Sequence, residues 1–218
     1  MTIKGFLFDF DGLILDTELI HFRSWQKEFE SYGFSLPLED WLKTIGTDYS
    51  MYHPAKHLST LTNGKVDPEL ADQKVMQRCA QMLESETLLP GVETFIQKAH
   101  DNHIPLAVAS SSPRPWVTGL LETHHLTKYF QRIVCSDEVE KVKPHPALYQ
   151  IAARDLGVDP GEGLAFEDSL NGLKAAKAAG LYCYAIPNAI TSHLDLSLAD
   201  KICTSFLELD PLELTAAG

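Results

Sequence analysis

The sequence predicts an α/β fold in which a parallel sheet carries an inserted helical module. Three observations support this prediction. Short apolar runs end abruptly at polar residues, as strands covered on both faces by helices do. Stretches with helical spacing alternate with these runs, which is typical of a parallel sheet. One long stretch after the first run has helical patterns but no convincing strand, and we interpret it as an insertion.

The first apolar run extends from Ile3 to Phe8 and stops at Asp9. Later runs predict further strands at Leu106 to Ala109, Ile133 to Cys135, Leu164 to Phe166, Tyr182 to Ile186 and Lys201 to Cys203. Parallel sheets collect ligand-binding residues at the carboxyl ends of their strands. The polar residues that follow these runs are therefore candidate functional positions.

Helical patterns occupy the segments between the predicted strands. An i, i+3, i+4, i+7 spacing predicts one helix, marked by Val92, Phe95, Ile96 and Ala99. Ser169 is expected to cap a second helix that ends at Gly180, because serine favours the first position of a helix and glycine the position after its end. The alternation of strand and helix thus continues along the second half of the chain.

The predicted insertion extends from Thr17 to Glu86. Its helices are marked by apolar residues at helical spacing, Leu19, Phe22 and Phe29 in one and Met76, Cys79, Ala80 and Leu83 in another. The chain returns to the sheet through Leu88-Leu89-Pro90-Gly91, a punctuated segment that suits a hinge. We therefore expect a core formed by residues 1–16 and 87–218 and an inserted helical domain formed by residues 17–86.

Composition and charge exclude several classes of partner. The chain has 218 residues, with 18 Lys and Arg against 30 Asp and Glu, and a formal net charge of -12. This charge argues against nucleic acid or an anionic membrane as a partner, because their phosphates would be repelled. The sequence shows no apolar run of about 18 residues and no leader pattern, and its four cysteines are scattered as in reduced proteins. We expect a cytoplasmic protein, either a monomer or a small homo-oligomer.

Acidic residues dominate the predicted strand ends. Asp9 and Asp11 flank Phe10 after the first strand, Glu167 and Asp168 follow the fourth, and Lys143 lies beyond the third. Four carboxylates in one crevice require a cation, and an all-oxygen ligand set selects a hard ion such as Mg²⁺. The metal and the lysine leave the sum of charges at about minus one, so an anionic substrate must also bind backbone N–H groups. The serine turn after the second strand can supply them.

These residues, in this order, resemble the haloacid dehalogenase superfamily, in its helical-cap branch of β-phosphoglucomutase-like phosphatases. The matching motifs are Asp9-Phe10-Asp11-Gly12, Ser110, Lys143-Pro144 and Glu167-Asp168 within Phe166-Glu167-Asp168-Ser169-Leu170-Asn171-Gly172. The match covers the predicted sheet from residue 3 to about residue 186. It implies a Rossmann-like parallel sheet core with an inserted helical cap domain, the latter being the insertion described above.

The resemblance also implies a mechanism through an aspartyl-phosphate intermediate. Asp9 would be the nucleophile, and Asp11 the general acid and base. Asp9, Asp168 and the main-chain carbonyl of Asp11 would ligate Mg²⁺, with Glu167 as an outer or water-mediated ligand. The implied function is that of a magnesium-dependent phosphatase acting on a small phosphorylated metabolite.

Further positions are implied for substrate binding. Ser110, Ser111 and Lys143 would hold the phosphoryl group. His21 on the first cap helix resembles a histidine that assists proton transfer in the mutase-like members. Arg78 on the last cap helix resembles a cation that clamps an anionic substrate, and Lys74 is a near alternative for that role.

One departure from the mutase pattern bears on the substrate. The mutase-type cap has an arginine a few residues after a glycine, whereas Gly46 is followed here by Thr47, Asp48 and Tyr49. An acidic residue there would repel a second phosphate. We therefore favour a phosphatase for a sugar phosphate over a β-phosphoglucomutase. A non-catalytic phospho-acceptor module is less favoured still, because such modules need only about 120 residues and no helical insert.

Overall fold

The sheet of the protein is parallel and six-stranded, in the order β3-β2-β1-β4-β5-β6. The computed structural model describes residues 2–45 and 52–216, so the expectation for Gly46, Thr47, Asp48 and Tyr49 lies outside the described residues. The strands are β1 Gly5–Phe8, β2 Leu106–Ala109, β3 Arg132–Val134, β4 Gly163–Glu167, β5 Tyr182–Ala185 and β6 Lys201–Ile202. The predicted parallel α/β sheet is confirmed.

Strand boundaries differ from the prediction mainly at β4. Glu167 was expected to follow this strand, but it is the last residue of the strand, pairs with Ala185 and is fully buried. An acidic residue could not be assigned to a buried strand from sequence, because its burial depends on partners distant in the chain.

Helices cover both faces of the sheet and form the insertion. They are α1 Thr17–Glu30, α2 Leu38–Trp41, α3 Pro54–Leu61, α4 Pro68–Leu83, α5 Val92–Asp101, α6 Arg114–Thr123, α7 Ala147–Leu156, α8 Leu170–Ala178 and α9 Pro211–Ala216. Short 3-10 helices lie at Thr127–Tyr129, Ser136–Glu138, Thr191–His193 and Phe206–Glu208. Within the described ranges, no helix is long and apolar enough to cross a membrane.

Two apolar clusters bury the two faces of the sheet. Phe6 and Phe8 of β1 belong to one cluster, and Leu7 between them belongs to the other, as the alternation of side chains along a strand requires. The first cluster is aromatic, with the ring of Phe166 lying 5.1 Å from that of Phe8 and 5.2 Å from that of Phe95. The four cysteines are buried and free, as their spacing predicted.

The insertion has an apolar cluster of its own. Its buried residues come from α1 to α4 and the loops between them, together with Ile190, and α1 packs on α4. A bridge between Leu15 and Leu88 joins the two chain segments that lead into and out of these helices. The described residues between Thr17 and Glu86 contain helices and no strand, as expected. The division of the chain into two domains stays a prediction.

Candidate active site

The loop after β1 places two carboxylates at the carboxyl end of the sheet. The N–H of Asp9 donates to the carbonyl of Phe166, which ties the loop to β4. Gly12 has a φ of +77°, and a Cβ there would lie 2.3 Å from Asp168 Oδ2. This close approach explains why glycine follows the two aspartates.

A buried ion cluster surrounds Asp9. Lys143 Nζ lies 2.5 Å from Asp9 Oδ1 and 2.7 Å from Glu167 Oε1. The hydroxyl of Tyr149 donates to Glu167 Oε1 at 2.7 Å, and Lys143 Nζ lies 4.9 Å from the centre of the Tyr149 ring. Gly172 leaves room for Glu167, since a Cβ there would lie 1.9 Å from the carboxyl carbon. Glu167 therefore holds Lys143 against Asp9.

Burial sets the proton affinities of this cluster. It raises the pKa of Asp9 to about 7, an effect to which the Glu167 carboxylate adds and which Lys143 opposes. It also raises the pKa of Asp168 well above its usual value, with Asp9 and Glu167 contributing. Burial alone would lower the pKa of Lys143, but the two neighbouring carboxylates outweigh it and raise this pKa. The lysine is therefore charged, and the carboxylates repel one another.

Three carboxylates form a potential cation site. Asp9, Glu167 and Asp168 each offer an oxygen within 4.8 Å of the others. Only oxygen donors are present in this set, and burial together with neighbouring carboxylates raises the pKa values of Asp9 and Asp168, so a hard divalent ion fits the site. Glu167 already accepts bonds from Lys143 and Tyr149. This leaves Asp9 and Asp168 as the more available ligands.

Asp11 is held apart from that cluster. Its Oδ2 accepts bonds from the hydroxyls of Ser112 at 2.6 Å and Ser110 at 3.3 Å, and its Oδ1 accepts one from the indole N–H of Trp116 at 2.9 Å. The role of Ser112 and Trp116 was not predicted, although the run of three serines was a signal for the first. Ser110 is fully buried and also accepts the Ser112 N–H, so its binding of phosphoryl oxygens stays a prediction.

Asn188 is a further residue that the sequence analysis missed. Its Nδ2 donates to the carbonyl of Gly12 and to Asp168 Oδ2, both at 2.9 Å. Its Oδ1 accepts the backbone N–H groups of Ile190 and Thr191, which fixes the amide orientation. The residue therefore locks Asp168 to the loop that carries both aspartates. Its position two residues beyond a predicted strand end was the one available signal.

A cavity of about 260 Å³ opens above these groups. It is lined by Asp9, Asp11, Glu18, His21, Trp41, Thr44, Ile45, Ser111, Ser112, Val142, Lys143, Asp168 and Ser169. The predicted residues Asp9, Asp11, Ser111, Lys143 and Asp168 therefore share one cavity. The insertion contributes Glu18, His21, Trp41, Thr44 and Ile45 to the wall.

Two polar residues of α1 line the insertion side of the cavity. Burial raises the pKa of Glu18 to about 8, and the nearby carboxylates of Asp11 and Asp9 add to the effect. Burial lowers the pKa of His21, so the ring is neutral at pH 7, and it packs on Trp116 with 5.7 Å between ring centres. His21 lies where the resemblance implied. Glu18 was not predicted.

Arg78 does not line the cavity, in contrast to its predicted position. Its guanidinium donates to the carbonyl of Ser24 at 2.6 Å and to Glu28 Oε2 at 3.0 Å. Lys74, the alternative, bonds Glu28 Oε1 at 2.7 Å. The carboxylate of Glu28 is almost completely buried on α1 and draws both cations of α4 to itself. The proposed clamp on the substrate is not formed here.

Comparison with known proteins identifies the family. The model of the family described as haloacid dehalogenase-like hydrolase matches residues 6–186. The chain belongs to this family. It is 43% identical over 208 residues to "Putative phosphatase YhcW" of Bacillus subtilis, covering 95% of this chain and 94% of that protein. It is 32% identical over 178 residues to the fructose-1-phosphate phosphatase YqaB of Escherichia coli, covering 81% and 93%.

A solved structure shows the same fold. CbbY of Rhodobacter sphaeroides, determined in complex with phosphate, is 30% identical, with a TM-score of 0.75 and coverage of 95% of this chain and 96% of that one. Family membership and these relatives confirm the resemblance and identify a phosphoric monoester hydrolase. This family member therefore acts as a phosphatase.

Proposed function

We propose that this hydrolase is a magnesium-dependent phosphatase for a small, singly phosphorylated metabolite, a sugar phosphate being the preferred class. The observation that carries the proposal is the position of Asp9 on the cavity, bonded to Lys143 and next to Asp168. Nucleophilic attack needs an ionised carboxylate, and Lys143 opposes the effect of burial on Asp9. The same cation faces the space where a phosphoryl group would lie.

The reaction would consist of two successive phosphoryl transfers, in which the residues of the site have different roles. Asp9 forms a bond to phosphorus as the ester oxygen leaves, and Asp11 gives that oxygen a proton. Asp11 then takes a proton from the water that attacks phosphorus, and cleavage of the bond to Asp9 releases inorganic phosphate. Lys143 offsets the charge of the phosphoryl oxygens in both steps. Magnesium, held by Asp9, Asp168 and the Asp11 carbonyl, supplies further charge neutralisation when bound.

The lining of the cavity favours a single phosphate. Lys143 is the one lysine or arginine on the wall formed by described residues. A second phosphate would instead meet Glu18, and Arg78, the cation predicted to clamp the substrate, is engaged by Glu28. A phosphatase for a monophosphate is therefore favoured over a β-phosphoglucomutase, whose intermediate carries two phosphates. The fructose-1-phosphate phosphatase among the relatives agrees with a sugar phosphate.

The test compares Asp9→Asn with a matched control, Asp16→Asn. Asp16 caps α1 by accepting the N–H of Leu19 and does not line the cavity, and asparagine is also a good cap. We expect Asp9→Asn to lower turnover of sugar phosphates by more than about a thousandfold, and the control to keep it. The wild type should form an acid-stable, hydroxylamine-sensitive phosphoenzyme that Asp9→Asn lacks.

Three results would contradict the proposal. They are full turnover after chelation of divalent metal, a phosphoenzyme that persists in Asp9→Asn, and isomerisation of β-glucose 1-phosphate faster than its hydrolysis. The last result would favour the mutase. Adding magnesium back to the chelated enzymes should restore turnover in the wild type but not in Asp9→Asn. This comparison distinguishes loss of the metal from loss of the nucleophile.

A further inference from the structure

Three side chains donate hydrogen bonds to the carboxylate of Asp11, and they differ in stiffness. Ser112 and Ser110 bind Oδ2 through hydroxyl groups, whose hydrogens rotate to suit their surroundings. Trp116 binds Oδ1 through its indole N–H, whose direction is fixed by the plane of the ring. Trp116 is therefore the rigid member of the set.

The indole is itself held in place by the start of α6. Trp116 follows Pro115, and proline suits the first turn of a helix, where its missing N–H costs no hydrogen bond. Arg114 begins the helix and donates its backbone N–H to Asp137 at 2.6 Å and its guanidinium to the carbonyl of Ile133 at 2.8 Å. The first turn of α6 is thus tied to β3 and to the 3-10 helix that follows it.

Trp116 also contacts the insertion. Its ring centre lies 5.7 Å from that of His21 on α1, with an angle of 33° between the planes. The side chain packs against the apolar cluster of the insertion and against the sheet cluster that contains Phe6. One ring therefore contacts the core, the first helix of the insertion and the Asp11 carboxylate.

The hydrogen bonds leave one position on Asp11 for a proton. A carboxylate offers about two acceptor positions on each oxygen. Ser112 and Ser110 occupy those of Oδ2, and Trp116 occupies one on Oδ1. The second position on Oδ1 has no donor among the described residues, and Asp11 lines the cavity. Oδ1 is therefore the oxygen suited to exchange a proton with a bound substrate.

We propose that Trp116 is a positioning residue for the general acid, and that its N–H orients Oδ1 of Asp11 toward the leaving oxygen of the substrate. The inference rests on the proposed phosphatase function, in which Asp11 protonates that oxygen, and adds the residue that orients the acid. The proton moves from Oδ1 to the ester oxygen as the bond between that oxygen and phosphorus breaks. A carboxyl group that is free to turn transfers the proton more slowly, because the transfer needs an aligned donor within hydrogen-bond reach.

The experiment compares two phosphate esters that differ in their need for an acid. The alkoxide that leaves a hexose phosphate, with fructose 1-phosphate tried first, is a strong base and must be protonated, whereas para-nitrophenolate departs as the anion. Trp116→Phe keeps an aromatic ring beside His21 and removes the N–H. We expect it to lower kcat/KM about 10-fold for the hexose phosphate, as for one hydrogen bond to a charged group, and to leave kcat/KM for para-nitrophenyl phosphate within about twofold. Since kcat/KM covers the steps up to release of the alcohol, the later attack by water does not enter the comparison.

Three further measurements calibrate this comparison. Asp11→Ala removes the acid itself and should show the same dependence on the leaving group, with a loss of about 100-fold or more for the hexose phosphate. Adding Trp116→Phe to Asp11→Ala should cause no further loss, because the two residues act as a unit. Trp25→Phe is the matched control, since Trp25 is 3% exposed in the apolar cluster of the insertion and does not line the cavity. It should change kcat/KM for the two esters equally.

The outcomes separate this inference from the proposed function. Equal losses on the two esters in Trp116→Phe, or a further loss on adding it to Asp11→Ala, would overturn the role of Trp116 and leave the phosphatase proposal intact. Absence of turnover with every phosphate ester would instead defeat the proposed function. If Trp116→Phe folds poorly, judged by its thermal unfolding, replacing Trp116 by benzothienylalanine decides, because this side chain keeps the two-ring shape and has sulfur in place of the N–H.

Discussion

Two buried glutamates each hold cations in this molecule, and their surroundings differ. Glu167, on the last position of β4, binds Lys143, which also contacts Asp9 on the cavity. Glu28, on α1, binds Arg78 and a lysine of α4, and none of the three lines the cavity. Both carboxylates are about equally buried. Because only the cation held by Glu167 is shared with a further group on the cavity, we expect that ion pair to affect activity and the pairs of Glu28 to affect stability.

Between the two ion clusters, the largest effect is expected from Lys143→Met. Removing the cation leaves Asp9 and Glu167 without their charge partner and deprives the phosphoryl group of a neutralising contact. We expect kcat for a sugar phosphate to fall about 100- to 1000-fold, as for loss of one preorganised donor. Steady-state kinetics measure the loss, and circular dichroism checks that the variant is folded.

Lys177→Met is the control for this variant. Lys177 also forms an ion pair, with Asp200 at 2.7 Å, but this pair is partly exposed to solvent and Lys177 lies outside the cavity lining. We expect its kcat to match that of the wild type. Similar losses in the two lysine variants would remove the distinction between a reactive and a structural ion pair.

An intermediate effect, on stability instead of activity, is expected from Arg78→Met. The variant loses the bonds to Glu28 and Ser24, and we expect the free energy of unfolding to fall by about 1–2 kcal/mol, because Lys74 still neutralises the buried carboxylate. Denaturant unfolding measures it. KM for a sugar phosphate should stay unchanged, and a rise in KM without loss of stability would restore Arg78 as a substrate clamp.

The last expected effect, on the pH dependence of stability, concerns Glu18, which lines the cavity but has no lysine or arginine partner within the described chain. Its pKa, raised from 4.5 to about 8 in the folded state, means that the folded protein binds more protons than the unfolded chain in this window. Stability should therefore fall as pH rises through that range in metal-free protein. Glu18→Gln should flatten the slope of melting temperature against pH. An unchanged slope would show that Glu18 does not titrate there.

Local sequence patterns predicted which residues meet at the cavity. Asp9, Asp11, Lys143 and Asp168 each follow a short apolar run or its loop, so their approach to one cavity follows from the parallel sheet alone. Sequence patterns did not show that Arg78 binds Glu28, because helical spacing says which face a residue occupies but not which buried acid it meets. Trp116 and Asn188 were missed because their importance comes only from contacts with Asp11 and Asp168.

The amino-acid sequence by itself determined the parallel sheet, the insertion after the first strand and the acidic strand ends, since each depends on the order of neighbouring residues. Only the tertiary structure decided which cation forms an ion pair with which carboxylate. Glu28 and Arg78 lie 50 positions apart, and Glu167 and Lys143 lie 24 apart, so only the packed chain could pair them. Hydrogen bonds and ion pairs act over a few ångströms, and distance along the chain does not reveal which groups come that close.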